Sequence, residues 1–315
     1  MTPLANLDVL SATVSGPTSA YRYQNMIRQD VRAAAQPNPD GTWTYQFVPR
    51  AADDPWFPAG PVIPSDAQGT FAVGLEGRRA VTLAADVSFE ESSNNPVTYF
   101  SVDGSSVAPF RSPVDVERCN DCHGELLAHG NLRRNPEYCV LCHTADATDW
   151  SQRPKGPDGN VDLAATVDHI EARSIRFPVL VHRIHTGENL VLTMPFVIYG
   201  FRGSVNRFGD VRFPGNLADC TACHRPDDYL IETIPPTALP TIANETATIL
   251  HQGTPVQPPD VPRVPVIQST CMACHDDSAT KAHASLQTTS AGVETCMVCH
   301  GEEREASVGA VHLAN

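Results

Sequence analysis

Lysine is nearly missing from this 315-residue chain: Lys155 and Lys281 are the only two among 22 basic residues. Positive charge is short altogether, because 36 acidic residues leave a formal net charge of −14. That balance argues against binding nucleic acid or an anionic membrane surface, although an acidic surface is also the ordinary route to solubility. No run of 18 apolar residues occurs, so no transmembrane segment is expected. Met1–Leu10 has neither a basic stretch nor an apolar core, so no signal peptide is visible. Residues 1–118 contain no cysteine and no histidine, which excludes a metal site built from those ligands there. The length permits two domains of ordinary size, and the two parts of the chain differ in kind.

What is present is one phrase, Cys-x-x-Cys-His, used five times. It stands at Cys119–Cys122–His123, Cys139–Cys142–His143, Cys220–Cys223–His224, Cys271–Cys274–His275 and Cys296–Cys299–His300. All ten cysteines lie in these phrases. Zinc ribbons need two cysteine pairs per metal; five pairs do not tile into such sites, and zinc gives no reason for a histidine after every second cysteine. The phrase is the attachment signal for haem c: two thiols add across the vinyl groups and the next residue becomes the proximal iron ligand. Five haems c are therefore expected, with His123, His143, His224, His275 and His300 proximal. Attachment of this kind occurs in the periplasm or beyond, so a chain without a visible leader is expected to be a mature or excised portion of a longer precursor.

Residues 1–110 read as a β-domain without cofactor. Leu7–Val14 is rich in small and β-branched residues, and Thr42–Val48 alternates, with Trp43, Tyr45 and Phe47 on one face. Thr70–Leu75, Ala80–Phe89 and Val97–Val102 supply further strands, separated by turns at Pro55–Pro64 and Glu91–Pro96. The expected fold is an N-terminal all-β sandwich or split barrel, followed over 111–315 by a multihaem c-type domain with short helices and little regular structure. Too few apolar side chains remain in that second region to surround five haems, so the porphyrins must supply much of the core. Helices are expected around Val116–His129, Asp162–Arg173 and Val179–Thr186. Residues 235–265 hold eight prolines and should run extended.

Twelve histidines are present, five of them proximal, which leaves His129, His169, His182, His185, His251, His283 and His312 for five sixth positions. His182 and His185 are three apart, so on a helix they share a face yet diverge toward different irons. Methionine is a weak rival, because Met272 and Met297 lie inside attachment phrases and Met194 is the only other one in the region.

At this point the chain resembles the OmcA/MtrC family of outer-membrane multihaem cytochromes, as one β-plus-pentahaem half. The matching stretches include Ser15–Thr18, Thr42–Phe47, Gly69–Glu76, Cys119–Arg134, Val181–Gly187, Phe213–Cys220, Ala238–Pro240, Lys281–His283 and Cys296–His312. By position, the resemblance implies distal ligands at His129, His182, His185, His283 and His312, with His169 and His251 spare. It also implies bis-histidine ligation and location at the cell surface, with the periplasm as fallback. Departures are the half complement of haems and the absence of a lipid-anchor or disulfide cysteine.

The leading function is electron relay through closed irons to metal oxides, flavins or a partner cytochrome, including a porin–cytochrome complex. On this reading the protein is not an enzyme, or at most a non-specific terminal metal reductase. The rival is a multihaem oxidoreductase with one open iron, acting on a nitrogen or sulfur oxyanion. Such enzymes often replace an attachment histidine by lysine, and none of the five phrases does so. Self-assembly through terminal haems is a third reading, which imaging or light scattering discriminates.

Overall fold

The computed structural model describes residues 4–18, 25–49, 62–84, 86–193, 195–242 and 263–312. The chain divides into two compact units, Met1–Cys142 and His143–Asn315. Among the described residues the first holds seven strands: β1 (Val9–Gly16), β2 (Asn25–Asp30), β3 (Gln36–Pro37), β4 (Trp43–Thr44), β5 (Thr70–Ala84), β6 (Val87–Ser92) and β7 (Val97–Ser101). Two short helices follow, α1 (Val116–His123) and α2 (Pro136–Cys139).

The main sheet has the order β2-β1-β5-β6, with β7 also paired to β5, and every pairing is antiparallel. Val14 stands in register with Ile27 on one side and Val73 on the other, which aligns branched side chains across three strands. β6 and β7 run one after the other along β5, and Ser93 N–H donating to the Gly77 carbonyl carries the ladder across their break. Where the sequence suggests two strands, Thr70–Leu75 and Ala80–Phe89, the structure has one 15-residue strand that returns as β6. The ladder continues through Glu76 because that carboxylate, with no exposed side-chain surface, finds Arg28 and Arg133 in place of water. Thr42–Val48 keeps only Trp43–Thr44 as strand, and β2 is an addition that the pattern did not signal.

Gly74 shows how tightly this sheet is covered. A Cβ there would lie 2.5 Å from Tyr138 Cδ2 and 2.7 Å from Leu141 Cδ1. Both covering side chains are wholly buried, and the Tyr138 hydroxyl hydrogen-bonds the Thr13 hydroxyl at 3.0 Å. Gly74→Val should therefore destabilise this unit by about 1–3 kcal/mol, read as a lowered midpoint in urea unfolding. An unchanged midpoint would show that the Tyr138 contact yields without cost.

The second unit contains α3 (Phe177–Thr186), β8 (Val197–Tyr199), β9 (Val205–Arg207), β10 (Thr241–Ile242), β11 (Arg263–Val264), α4 (Val266–Cys271), α5 (Ser278–Leu286), α6 (Met297–His300) and α7 (Val308–His312). Pro178 starts α3 and Gly187, at φ 47°, ends it. One apolar cluster joins Leu190, Phe196 and Ile198 with Ile175, Leu180, Ile184 and Phe208. Beside it lies an ionic core. Arg153, wholly buried in its side chain, pairs with Asp149 at 2.9 Å and Asp168 at 2.7 Å, and Arg173 pairs with Asp168 at 3.0 Å.

That core explains one correction. No helix forms over Asp162–Arg173. Asp162 Oδ1 accepts the N–H groups of Ala164 and Ala165, closing a turn, and Asp168 and Arg173 turn inward to the buried pairs. The helix expected over Val116–His129 stops at His123, because Gly124 takes φ 67°. Of the proline-rich stretch, residues 243–262 lie outside the described residues, as do His251, Met194 and most of the Pro55–Pro64 turn; its flanks pair as β10–β11. Among the described residues, no helix is long and apolar enough to cross a membrane.

Candidate haem sites

Each attachment phrase adopts one helical turn. The second cysteine's N–H donates to the first cysteine's carbonyl at 3.2 Å in the phrases at Cys139, Cys220, Cys271 and Cys296. In the last three of these the histidine N–H also donates to that carbonyl, at 2.9 Å. Residues at i, i+3 and i+4 of such a turn share one face. Two thiols and an imidazole are thus presented together, the donor set that one haem c requires. No two of the ten cysteines form a disulfide.

The remaining histidines approach these phrases in pairs. His182, on α3, faces His224 with ring centroids 6.0 Å apart. His312, on α7, faces His275 at 5.8 Å, and His283, on α5, faces His300 at 6.2 Å. With a metal–imidazole bond of about 2 Å and about 1 Å more to the ring centre, two imidazoles trans on one iron have centroids about 6 Å apart. Among the described residues no group of three or more His, Cys, Asp or Glu side chains is arranged to hold a lone metal ion. Two thiols and an imidazole on one turn, with a second imidazole opposite, are the donors that one haem c would use.

Tautomers point the same way. The Nδ1–H groups of His143, His185, His300 and His312 donate to the carbonyls of Ile175, Val181, Ala306 and Val308 at 2.7, 2.8, 2.9 and 3.0 Å. A carbonyl can only accept, so Nδ1 carries the proton and Nε2 keeps the lone pair that iron needs. His169 does likewise toward Leu163, at 3.1 Å, so this signature alone does not separate ligand from spare. Burial pushes His182 down to about 4, aided by His224 and His185. His224 is lowered as well, burial outweighing the pull of Asp228. Both are neutral at pH 7, the ligating form.

The other candidates are placed as follows. His123 ends α1 and is exposed; His129 is exposed at φ 54°. The His143 ring lies 6.3 Å from that of Phe177, and the His185 ring meets Phe213 edge-on at 5.8 Å.

Residues without a histidine or cysteine also shape the sites, and sequence reasoning missed them. Asp276, beside His275, accepts the N–H groups of Val191 and Thr193 at 2.7 and 2.8 Å, fastening the fourth phrase to the segment after α3. In the first unit, the Arg133 guanidinium lies 5.8 Å over the Tyr138 ring, one residue from Cys139. Burial alone would raise the Glu76 pKa, but the hydrogen bonds and charges of Arg133 and Arg28 outweigh it and hold it below its usual 4.5. A carboxylate depressed in the folded state gives stability that is present above the unfolded value and lost as pH falls through the folded one. The first unit should therefore lose stability as pH drops below about 4.5, and Glu76→Gln should flatten that dependence in urea unfolding. An equally steep pH dependence in the variant would assign it to another group.

No curated protein matches the chain. A solved structure, MtrC from Shewanella baltica OS185, is similar at 13% identity and TM-score 0.49, covering 95% of this chain and 46% of that one. The chain thus spans about half the length of that relative. A family model described as outer membrane cytochrome MtrC/MtrF-like, domains II/IV, matches residues 111–313. With that match taking in all five phrases, the chain belongs to the MtrC/MtrF-like family of outer-membrane cytochromes.

Proposed function

We propose that the chain holds five haems c, each iron closed by two histidines, and relays electrons along them. The observation that carries this reading is the set of three imidazole pairs at 5.8–6.2 Å. His224 pairs with His182, His275 with His312 and His300 with His283; His129 and His185 remain for the irons of His123 and His143. Haem supplies a one-electron iron couple when bound. The chain's residues do the rest: thioethers fix each ring to a helical turn, Nδ1–H bonds fix the imidazole planes, and the second histidine denies substrate an open position. Residues 1–110 form the cofactor-free β-domain and 111–315 the pentahaem domain. The acceptors are metal oxides, flavins or another cytochrome, and the donor is a porin-associated cytochrome.

Purified holoprotein should show five haems per chain by pyridine haemochrome and wholly low-spin ferric spectra at neutral pH. A substantial high-spin fraction, with tight cyanide or carbon monoxide binding by one haem, would replace relay by the oxyanion-reductase reading.

A further inference from the structure

Arg176 is 7% exposed, and its Nη1 has no hydrogen-bond partner among the described residues. The carboxylates nearest to it are engaged elsewhere. Asp146 pairs with Arg263 at 2.7 Å. Glu294 accepts the N–H groups of Ile267 at 3.0 Å and Gln268 at 2.6 Å. Burial lowers Arg176 to about 10, with Asp146 and Glu294 opposing, so the group stays a cation at neutral pH. A buried guanidinium nitrogen without an acceptor is unfavourable and calls for a partner.

Position identifies that partner. The backbone on both sides of Arg176 is tied to His143: His143 Nδ1–H donates to the Ile175 carbonyl at 2.7 Å, and Phe177 N–H donates to the His143 carbonyl at 3.1 Å. An iron-bound His143 brings a porphyrin, and every porphyrin of this type carries two propionate carboxylates. A guanidinium presents a planar fork that matches a carboxylate in two parallel hydrogen bonds. We propose that Arg176 binds a propionate of the haem ligated by His143, and so sets that haem's reduction potential. The inference rests on the reading of His143 as an axial ligand. A fixed cation beside the haem opposes the extra positive charge of the ferric state, so its removal favours oxidation.

The experiment is a spectroscopic redox titration of intact holoprotein, comparing wild type, Arg176→Gln and the exposed control Arg212→Gln. Arg212 carries the same charge in a surface pair with Glu188. In Arg176→Gln, one component of five should shift its oxidised-to-reduced ratio upward by roughly tenfold at fixed potential, equivalent to 59 mV for one electron. The control should superimpose on wild type. An unshifted Arg176→Gln titration, with five low-spin haems retained, overturns the proposal even if the variant is less stable, because it means that the protein supplies the anion. High-spin haem in the wild type would overturn the underlying reading instead. Should Arg176→Gln fail to mature, redox-difference infrared spectra of protein carrying ¹³C-labelled propionates decide between wild type and Arg176→Lys. A displaced labelled carboxylate stretch in the lysine variant supports the contact; identical bands overturn it.

Discussion

Replacing His283 by methionine should raise the midpoint potential of one haem in five by on the order of 0.1 V, leaving the other four in place. A thioether stabilises ferrous iron relative to imidazole, and the change acts on the iron itself, so it exceeds any effect of a neighbouring charge. His283 suits this test because its helix stands without it. Asp277 caps α5 by accepting the N–H groups of Ala279 and Thr280 at 2.9 and 3.0 Å. The substitution therefore changes the ligand and keeps its support. His283→Ala makes a companion: one haem should become high-spin and bind carbon monoxide, while the redox titration of the other four stays fixed. If His283→Ala remained wholly low-spin, His283 would not be the partner of His300.

The second large effect concerns the ionic core. Asp168→Asn should destabilise the protein by about 3–5 kcal/mol in urea unfolding, because Arg153 and Arg173 are then left buried around a neutral amide. Two cations share this one carboxylate, and Arg153 also lies 4.7 Å over the Tyr199 ring. The backbone depends on the same groups: Asp149 accepts the N–H groups of Arg173 at 2.7 Å and Tyr199 at 3.0 Å. A loss under about 1 kcal/mol, the size expected of an exposed pair, would mean that water reaches the arginines. Asp168 is also held below the usual carboxylate range, since Arg153 and Arg173 outweigh the burial that would raise it. Its contribution should accordingly fade as pH falls below the ordinary aspartate value, adding to the acid sensitivity set by Glu76.

The attachment phrases were legible because their chemistry is local: thiol, thiol and imidazole fall on one turn of five consecutive residues. Strand content in the first unit was legible for a similar reason, since small and β-branched residues mark Leu7–Val14 and turn residues separate the later strands, whereas the alternation of Thr42–Val48 kept only Trp43–Thr44 as strand. Ligand pairing was not legible. His283 follows the fourth phrase yet faces His300 of the fifth, while His312 follows the fifth and faces His275 of the fourth. That exchange depends on tertiary packing, which no spacing encodes. The ionic core was hidden for another reason. Nothing in the sequence singles out Asp149, Arg153, Asp168 and Arg173, because a charge is buried only when its partner is brought to it from elsewhere in the chain. The same blindness produced the helix expected over Asp162–Arg173.

The packing of Tyr138 against Gly74 ties the second attachment phrase to the sheet. Tyr138 is wholly buried and bonded to Thr13, and the next residue is Cys139. The sheet, which has no cysteine or histidine of its own, thereby anchors the start of a phrase that it cannot itself supply.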